Sequence, residues 1–273
     1  MKVLLIGGRG FLGSAVKKSL KGFDVYTFDR SKGGKKHLKG DLLVEESVKK
    51  SLKGFDVVIN LVGLSPLREP KKVSYSEAHV EGVRNILFHL KKKQKFIHIS
   101  ALGADVNSEA EYLRTKGKAE QLIRNSGKDY FILRPSLLFG KDHEFFKTLD
   151  WSKYFLFFPN IITLTQPVHK SDVGKLINLI LKGKVKRRVI ELGGIHKLSI
   201  FQVSKLYINS KGFPVFKIPW FLFKSGYIFI SWFKIFGITK NQVLILNHDN
   251  ITSENHLLDY IEPLSYYDWI GKI

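Results

Sequence analysis

The sequence predicts an α/β protein built on a doubly wound parallel sheet, with a smaller lobe contributed by the C-terminal half. Three observations carry that expectation. The chain opens on an apolar run, residues 3–6, that enters a glycine-rich turn and then a stripe of apolar residues at helical spacing. Apolar strand-like runs and helical patterns then alternate as far as residue 133, the rhythm of strand–helix–strand units. The runs at 3–6 and 57–62 (VVINLV) are apolar without alternation, as strands are when helices cover both faces of a sheet.

The first fourteen residues, MKVLLIGGRGFLGS, organise the rest. Leu12, Ala15, Val16 and Leu20 recur as one helix face behind the turn that holds Gly7, Arg9, Gly10 and Gly13. Strand, glycine turn and helix together seat a pyrophosphate. Phe11 and Leu12 stand at the helix start, where unpaired N–H groups and the positive end of the dipole face an anion. Gly7 permits the tight turn, Gly10 lets the backbone approach the phosphates, and Gly13 lets helix and strand pack closely.

Residues 24–28 (DVYTF) read as the second strand, ending at Asp29 and Arg30, and 32–39 as a basic loop. A helix at 44–52, a strand at 57–62, a helix at 75–90 and a strand at 96–99 follow. A helix at 109–125 and a strand at 130–133 complete the regular part. From Lys141 the pattern loosens: 145–159 is aromatic-rich and irregular, with a helix at 172–181, a strand at 189–192 and a helix at 199–208. The division expected is a dinucleotide-binding core over 1–140 and a substrate-side lobe over 141–273, interleaved with the last core elements.

Composition narrows the setting. With 273 residues, 44% hydrophobic and 25% charged, the chain is globular. The absence of cysteine excludes disulfides, thiolate nucleophiles and cysteine metal sites. No secretory signal pattern precedes the first strand, so a cytoplasmic protein is expected, one that could lie peripherally at a membrane. A net charge of +21 points to nucleic acid, an anionic membrane face or an anionic small ligand. The lysines are scattered, and no zinc-finger or RNA-binding signature accompanies them, which places specific nucleic acid last. Residues 219–238 (PWFLFKSGYIFISWFKIFGI) are long enough to reach across a bilayer, but Lys224, Gly226 and Lys234 interrupt them. A buried or oligomer-forming aromatic segment, for which a homodimer is one setting, is favoured over a membrane-surface helix, and a transmembrane span comes last.

Two constellations carry chemistry. Asp29 lies at a strand end sixteen residues past Gly13, where a carboxylate bonds the adenosine ribose hydroxyls and favours NAD. Arg9 and Arg30 could each hold a 2′-phosphate and keep NADP open. Tyr112 and Lys116 stand four apart on a helix face, where an ammonium beside a phenol would lower its pKa and make it an acid or base near neutrality.

With these residues in order, the chain resembles the short-chain dehydrogenase/reductase superfamily in its extended or atypical, epimerase/dehydratase-like branch. Within it the chain resembles the subgroup around the NAD(P)-binding accessory subunit of respiratory complex I and its prokaryotic relatives. GGRGFLG resembles the family's glycine signature, and Gly40, Asp41 and Leu42 its adenine-contacting segment. Leu61, Val62 and Gly63 stand where the family has its motif after the fourth strand, and residues 79–87 (HVEGVRNIL) resemble its fourth helix. In residues 133–140 (LRPSLLFG), Pro135 and Ser136 match positions near the nicotinamide. Residues 166–172 (QPVHKSD) and 191–194 (ELGG) resemble its return segments. The resemblance implies a Rossmann fold, bound NAD or NADP, and hydride transfer between a carbonyl and an alcohol, within a nucleotide-sugar epimerase or dehydratase cycle among other settings. Tyr112 would be the acid/base, and Lys116 would hold the nicotinamide ribose. Ser100 would be the hydroxyl donor, although the family's usual positions for it carry Ala101 and Leu102. His79 replaces the asparagine of a proton relay and reads more readily as structural. Ala101 and Leu102, together with the aromatic stretch 219–238, support a second reading, a cofactor-bound protein without turnover that serves as a structural or redox-sensing component and could lie at a membrane. The nine histidines are scattered and suggest no metal site, and Ser136, Asp142 and His143 lack the setting of a serine hydrolase.

Overall fold

The computed structural model describes residues 1–67, 70, 72–150, 157–219, 221 and 240–273. Its framework is β1 (Lys2–Ile6), α1 (Phe11–Ser19), β2 (Asp24–Asp29), β3 (His37–Lys39), α2 (Glu45–Ser51) and β4 (Val57–Asn60). A π-helical turn (Glu77–Glu81) leads into α3 (Gly82–His89), followed by β5 (Lys95–Ile99), α4 (Glu111–Arg124) and β6 (Asp129–Pro135). The second half holds β7 (Leu138–Phe139), α5 (Glu144–Asp150), β8 (Phe157–Pro159), β9 (Leu164–Thr165), β10 (Val168–His169), α6 (Lys170–Leu181) and β11 (Val189–Leu192). It ends with β12 (Leu198–Ser199), α7 (Ile200–Ser210), β13 (Phe216–Ile218), α8 (Lys240–Ile245) and α9 (Tyr266–Ile270).

Seven strands form one sheet in the order β11-β6-β5-β4-β1-β2-β3, and every pairing is parallel. The unalternating apolar strands are explained by two cores. Val3 and Leu5 face one side with Val16 of α1 and Val173 and Ile177 of α6. Leu4 and Ile6 face the other with Val83 and Ile86 of α3 and Ile123 of α4. Each fully buried aliphatic side chain contributes about 1.5–3 kcal/mol, so both faces must be covered by helices. Helices α1 and α6 touch closely at Gly174, where an added Cβ would stand 2.4 Å from Ser19 Oγ.

An ionic chain, buried at Glu120 and half-buried at Arg134 and Glu191, ties the sheet edge together. Arg134 on β6 donates from Nε and Nη2 to the two oxygens of Glu120 on α4, at 2.8 and 2.7 Å. Its Nη1 lies 3.5 Å from Glu191 on β11. Thr252 Oγ1 donates to Glu191 at 2.9 Å and brings the C-terminal segment to the same chain.

Three differences from the sequence reading have physical reasons. The basic loop at 32–39 ends in a three-residue edge strand, β3, too short for periodicity to reveal; His37 there is locked to Thr27 (Nδ1···Oγ1 2.8 Å). The region 145–159 is not wholly irregular, because α5 occupies its start. Phe146 and Leu149 pack with Tyr207, Tyr266 and Trp269 into a separate aromatic core. The helix expected over 75–90 begins with a π turn, which carries His79 inward. Most of the aromatic stretch 219–238 lies outside the described residues. Among the described residues no helix is long and apolar enough to cross a membrane.

Candidate functional site

The chain runs from β1 outward through β2 to β3, then crosses back to β4 on the other side of β1. The reversal leaves a crevice beyond the carboxyl ends of β1 and β4, the place where an open parallel sheet receives a ligand. The glycine turn, residues 61–63, Asp29, Ser100 and Pro135 all fall at carboxyl ends of these neighbouring strands.

Local sterics dictate the glycine turn. Gly7 has φ +76°, and a Cβ there would lie 3.0 Å from Val62 Cγ2. Gly13 is stricter: a Cβ would stand 2.5 Å from Gly8 C and 2.6 Å from Gly7 O, so α1 can rest on the turn only without one. At Gly10 the nearest atom to an added Cβ is Gly7 O at 3.3 Å. Gly10 caps α1 with no side-chain hydrogen bond, and no acid occupies the helix's first turn. The first N–H groups of a helix, here at Phe11 and Leu12, have no intrahelical acceptor, and such a terminus can receive an anion.

Asp29 ends β2, and its Oδ1 accepts from Ser31 N at 3.0 Å. Its Oδ2 is buried and has no hydrogen-bond partner among the described residues. A buried carboxylate oxygen without a donor is costly, so this position has an acceptor to spare for a hydroxyl or N–H donor. Arg9 Nη1 donates to Lys32 O at 2.6 Å and lies 3.8 Å from Asp29 Oδ1. Beside them is an open cleft of about 360 Å³ lined by Arg9, Lys17, Thr27, Lys35, Lys36 and His37. Arg30 is exposed. Asp41 Oδ1 accepts from Leu43 N at 3.0 Å, and Asn85 Nδ2 of α3 donates to Leu42 O at 3.0 Å, which fixes that turn against α3.

At the other end of the crevice Leu61 N donates to Ile6 O, and Asn60 Oδ1 accepts from Val62 N at 3.1 Å. Gly63 lies over Lys116: a Cβ there would meet Nζ at 3.2 Å. Lys116 is 3% exposed and donates to Ile99 O at 2.9 Å. Burial lowers its pKa to about 8, against a smaller opposing pull from Glu120. Ser100 Oγ is buried without a partner among the described residues. Pro135 is buried, and its carbonyl accepts from Leu102 N at 3.1 Å.

Tyr112 corrects an expectation. Burial, and secondarily Tyr75, raises its pKa well above the ordinary 10, with no lowering by Lys116. The reason is geometric. The Lys116 ammonium is directed to the Ile99 carbonyl, while the Tyr112 ring meets Tyr75 and His79 edge-on at 5.8 and 5.6 Å. His79 is structural. Leu64 N–H donates to its Nε2 at 3.2 Å, so its Nδ1–H donates to Thr115 Oγ1 at 2.9 Å. Desolvation, with Lys116 and His98 adding to it, holds His79 well below 6.5, in the neutral form that this clamp needs.

Several contacts around the site carry no sequence signal, because most of them join residues far apart in the chain. Asn241 Oδ1 of α8 accepts from Glu111 N at 2.8 Å and caps α4, the helix that carries Tyr112 and Lys116. Leu244, Ile245 and Tyr112 pack around buried Ala101, Ala110 and Leu113. Ser136 Oγ donates to Asn250 and accepts from Gln166 N at 3.0 Å, so this residue binds the C-terminal segment to the core. His98, fully buried on β5, accepts from Asn60 Nδ2 at 3.3 Å.

Residues 24–152 match the sequence model of a family described as NAD(P)H-binding. The mitochondrial NADH-ubiquinone oxidoreductase 40 kDa subunit of Neurospora crassa is 32% identical over 193 residues, covering 65% of this chain and 51% of that protein. The chain spans about half the length of the curated fungal and mouse relatives it matches. Among solved structures, UDP-glucose 4-epimerase of Thermus thermophilus in complex with NAD superposes with a TM-score of 0.67 at 18% identity. That match covers 80% of this chain and 86% of the epimerase. dTDP-4-dehydrorhamnose reductase of Bacillus anthracis in complex with NADP gives 0.72 at 17% identity, over 99% of this chain and 97% of the reductase. At such identities these structures establish the shared Rossmann fold.

Proposed function

We propose that this chain, which carries an NAD(P)H-binding domain of Rossmann type, holds one nicotinamide dinucleotide as a fixed component and does not turn it over. The observation that carries the reading lies at the reacting end. Ala101 and Leu102 are 7% and 3% exposed apolar residues where the family's donor hydroxyl would stand. Beside them, desolvation, and secondarily Tyr75, raises the Tyr112 phenol above its ordinary value rather than lowering it. A tyrosine with a raised pKa and no activating ammonium is a poor base at physiological pH.

The binding half of the site supports retention. The free N–H groups at the start of α1 would take the pyrophosphate, and Asp41 with Leu42 would line the adenine. The unmet acceptor of Asp29 suits the ribose diol of NAD(H), while Arg9, close enough to offset that charge, admits the 2′-phosphate of NADP(H). Leu61, Val62, Gly63 and Pro135 would wall the nicotinamide, and Lys116 would bond its ribose. When bound, the dinucleotide supplies a two-electron hydride couple. The relatives named as subunits of NADH-ubiquinone oxidoreductase make a larger respiratory assembly the setting we infer, with protein partners there.

A second reading, carbonyl/alcohol oxidoreduction, rests on the unpartnered Ser100 hydroxyl and on Tyr112 and Lys116 sharing a helix. The experiment that separates them loads the chain with NADH or NADPH and follows nicotinamide absorbance with carbonyl and nucleotide-sugar substrates. Persistent one-to-one cofactor, unaffected by Tyr112→Phe, is the expected result. Turnover abolished by Tyr112→Phe would establish the oxidoreductase instead.

A further inference from the structure

The opposite end of the sheet forms a second surface. In a parallel sheet, every turn that leads into a strand lies on the side away from the ligand crevice. Here those turns are basic one after another. Lys2 opens β1, Lys21 precedes β2, Lys53 precedes β4, and Lys91, Lys92 and Lys93 precede β5. Residues 182–188, before β11, carry five cations in seven positions. All of these side chains are exposed.

The acids of this edge are already engaged. Asp24 accepts from Lys36 Nζ at 2.6 Å, and Asp56 from the Lys2 backbone N–H at 2.7 Å. Asp129 pairs with Arg188 and with Lys95, and Arg187 lies 3.8 Å from Glu254. The cations of the edge that form no ion pair among the described residues are therefore all lysines. The strand order sets them along a line from β11 to β2, five strand spacings or roughly 24 Å. Phe88, in the last turn of α3 and three residues before Lys91, is 75% exposed. Cations beside helix C-termini complement the helix dipole, but that accounts for one or two per helix and not for five in a single turn.

We propose that this edge is a docking surface for an anionic lipid bilayer, held by its lysines and seated by Phe88. Lysine is a compact, mobile charge suited to diffuse attraction by anionic headgroups, whereas forked recognition of a protein carboxylate or a nucleic acid favours arginine, and both arginines here are already paired. A line of lysines beside an exposed aromatic ring fits the headgroup boundary. The surface lies opposite the dinucleotide crevice, so docking leaves the crevice open.

The test is sedimentation of the full chain with vesicles of phosphatidylcholine alone and with about a third phosphatidylserine. Saturable binding to the anionic vesicles alone is expected. Each lysine near an anionic surface strengthens partitioning about fivefold, so the triple variant K91Q/K92Q/K93Q should weaken it roughly 100-fold. A control triple with the same charge change elsewhere, K141Q/K147Q/K197Q, should change it by less than about threefold. Phe88→Ala should weaken binding by a factor that does not vary with salt. Equal loss in both triples, equal binding to neutral vesicles, or no binding to anionic ones would overturn the proposal. So would duplex DNA binding as tight as vesicle binding and as sensitive to the 91–93 triple.

Discussion

Replacing Gly13 and Gly10 by alanine separates what the opening turn does for folding from what it does for binding. A methyl at 13 would stand 2.5 Å from Gly8 C and 2.6 Å from Gly7 O. Ordinary carbon contacts lie near 3.5–4.0 Å, so the overlap is about 1 Å, and both obstacles are backbone with no rotamer to yield. Overpacking of this kind costs about 1–3 kcal/mol, and the rigid neighbours place Gly13→Ala at the upper end. Alanine recovers up to about 1 kcal/mol of helix propensity, which leaves a net loss near 2 kcal/mol. At Gly10 the nearest atom is 3.3 Å away and φ is −72°, a conformation open to any residue. Gly10→Ala should therefore fold with a loss below about 1 kcal/mol, chiefly the poorer N-cap. Its methyl, however, stands over the turn where the phosphates approach, and dinucleotide affinity should fall at least about tenfold, or 1.4 kcal/mol. Urea denaturation followed by tryptophan fluorescence, with nucleotide titration of the same samples, reads both quantities. Full stability of Gly13→Ala would contradict the close packing of α1 on the turn, and unchanged affinity of Gly10→Ala would contradict phosphate approach at Gly10.

Three further outcomes are expected. Asp29→Asn keeps an acceptor but removes the charge that opposes a 2′-phosphate, so the ratio of NADP(H) to NAD(H) affinity should rise about tenfold in competition titrations. Lys116 holds its proton up to about 8 in the folded protein, against 10.5 ordinarily. The unfolded chain then binds the extra proton between those values, so stability should rise with pH across that window, by at most about 3 kcal/mol. Lys116→Met should lack that rise in urea midpoints measured from pH 7 to 10, and parallel curves for the two proteins would contradict the assignment. Glu120→Ala removes two charge-assisted hydrogen bonds and leaves the half-buried Arg134 guanidinium only its longer contact to Glu191, so it should cost about 1.5–3 kcal/mol, whereas Glu120→Leu with Arg134→Met should recover part of it by thermal melting.

The layered sheet was legible because residues 3–6 and 57–62 had to be covered on both faces, and the dinucleotide-binding class because a strand, a glycine turn and a helix in that order follow from phosphate chemistry. What sequence could not supply was contact between distant residues. Asn241 caps α4 from 130 positions away, and Thr252 reaches Glu191 across 61. Helix α5 escaped notice because Phe146 and Leu149 have a partner face only once Tyr207 and Trp269 are in place. Tyr112 and Lys116 were correctly put on one helix, yet spacing gave no measure of burial. Desolvation and the Ile99 carbonyl reversed the expected direction of the phenol's pKa.

The central claim is a dinucleotide held and not consumed. Titrating the purified chain with NADH and NADPH, then watching nicotinamide fluorescence for hours with carbonyl substrates present, tests it most directly. A saturable enhancement at one nucleotide per chain that keeps its amplitude is the predicted result. No saturable signal up to millimolar nucleotide, or an amplitude that decays only when a carbonyl substrate is present, would contradict it.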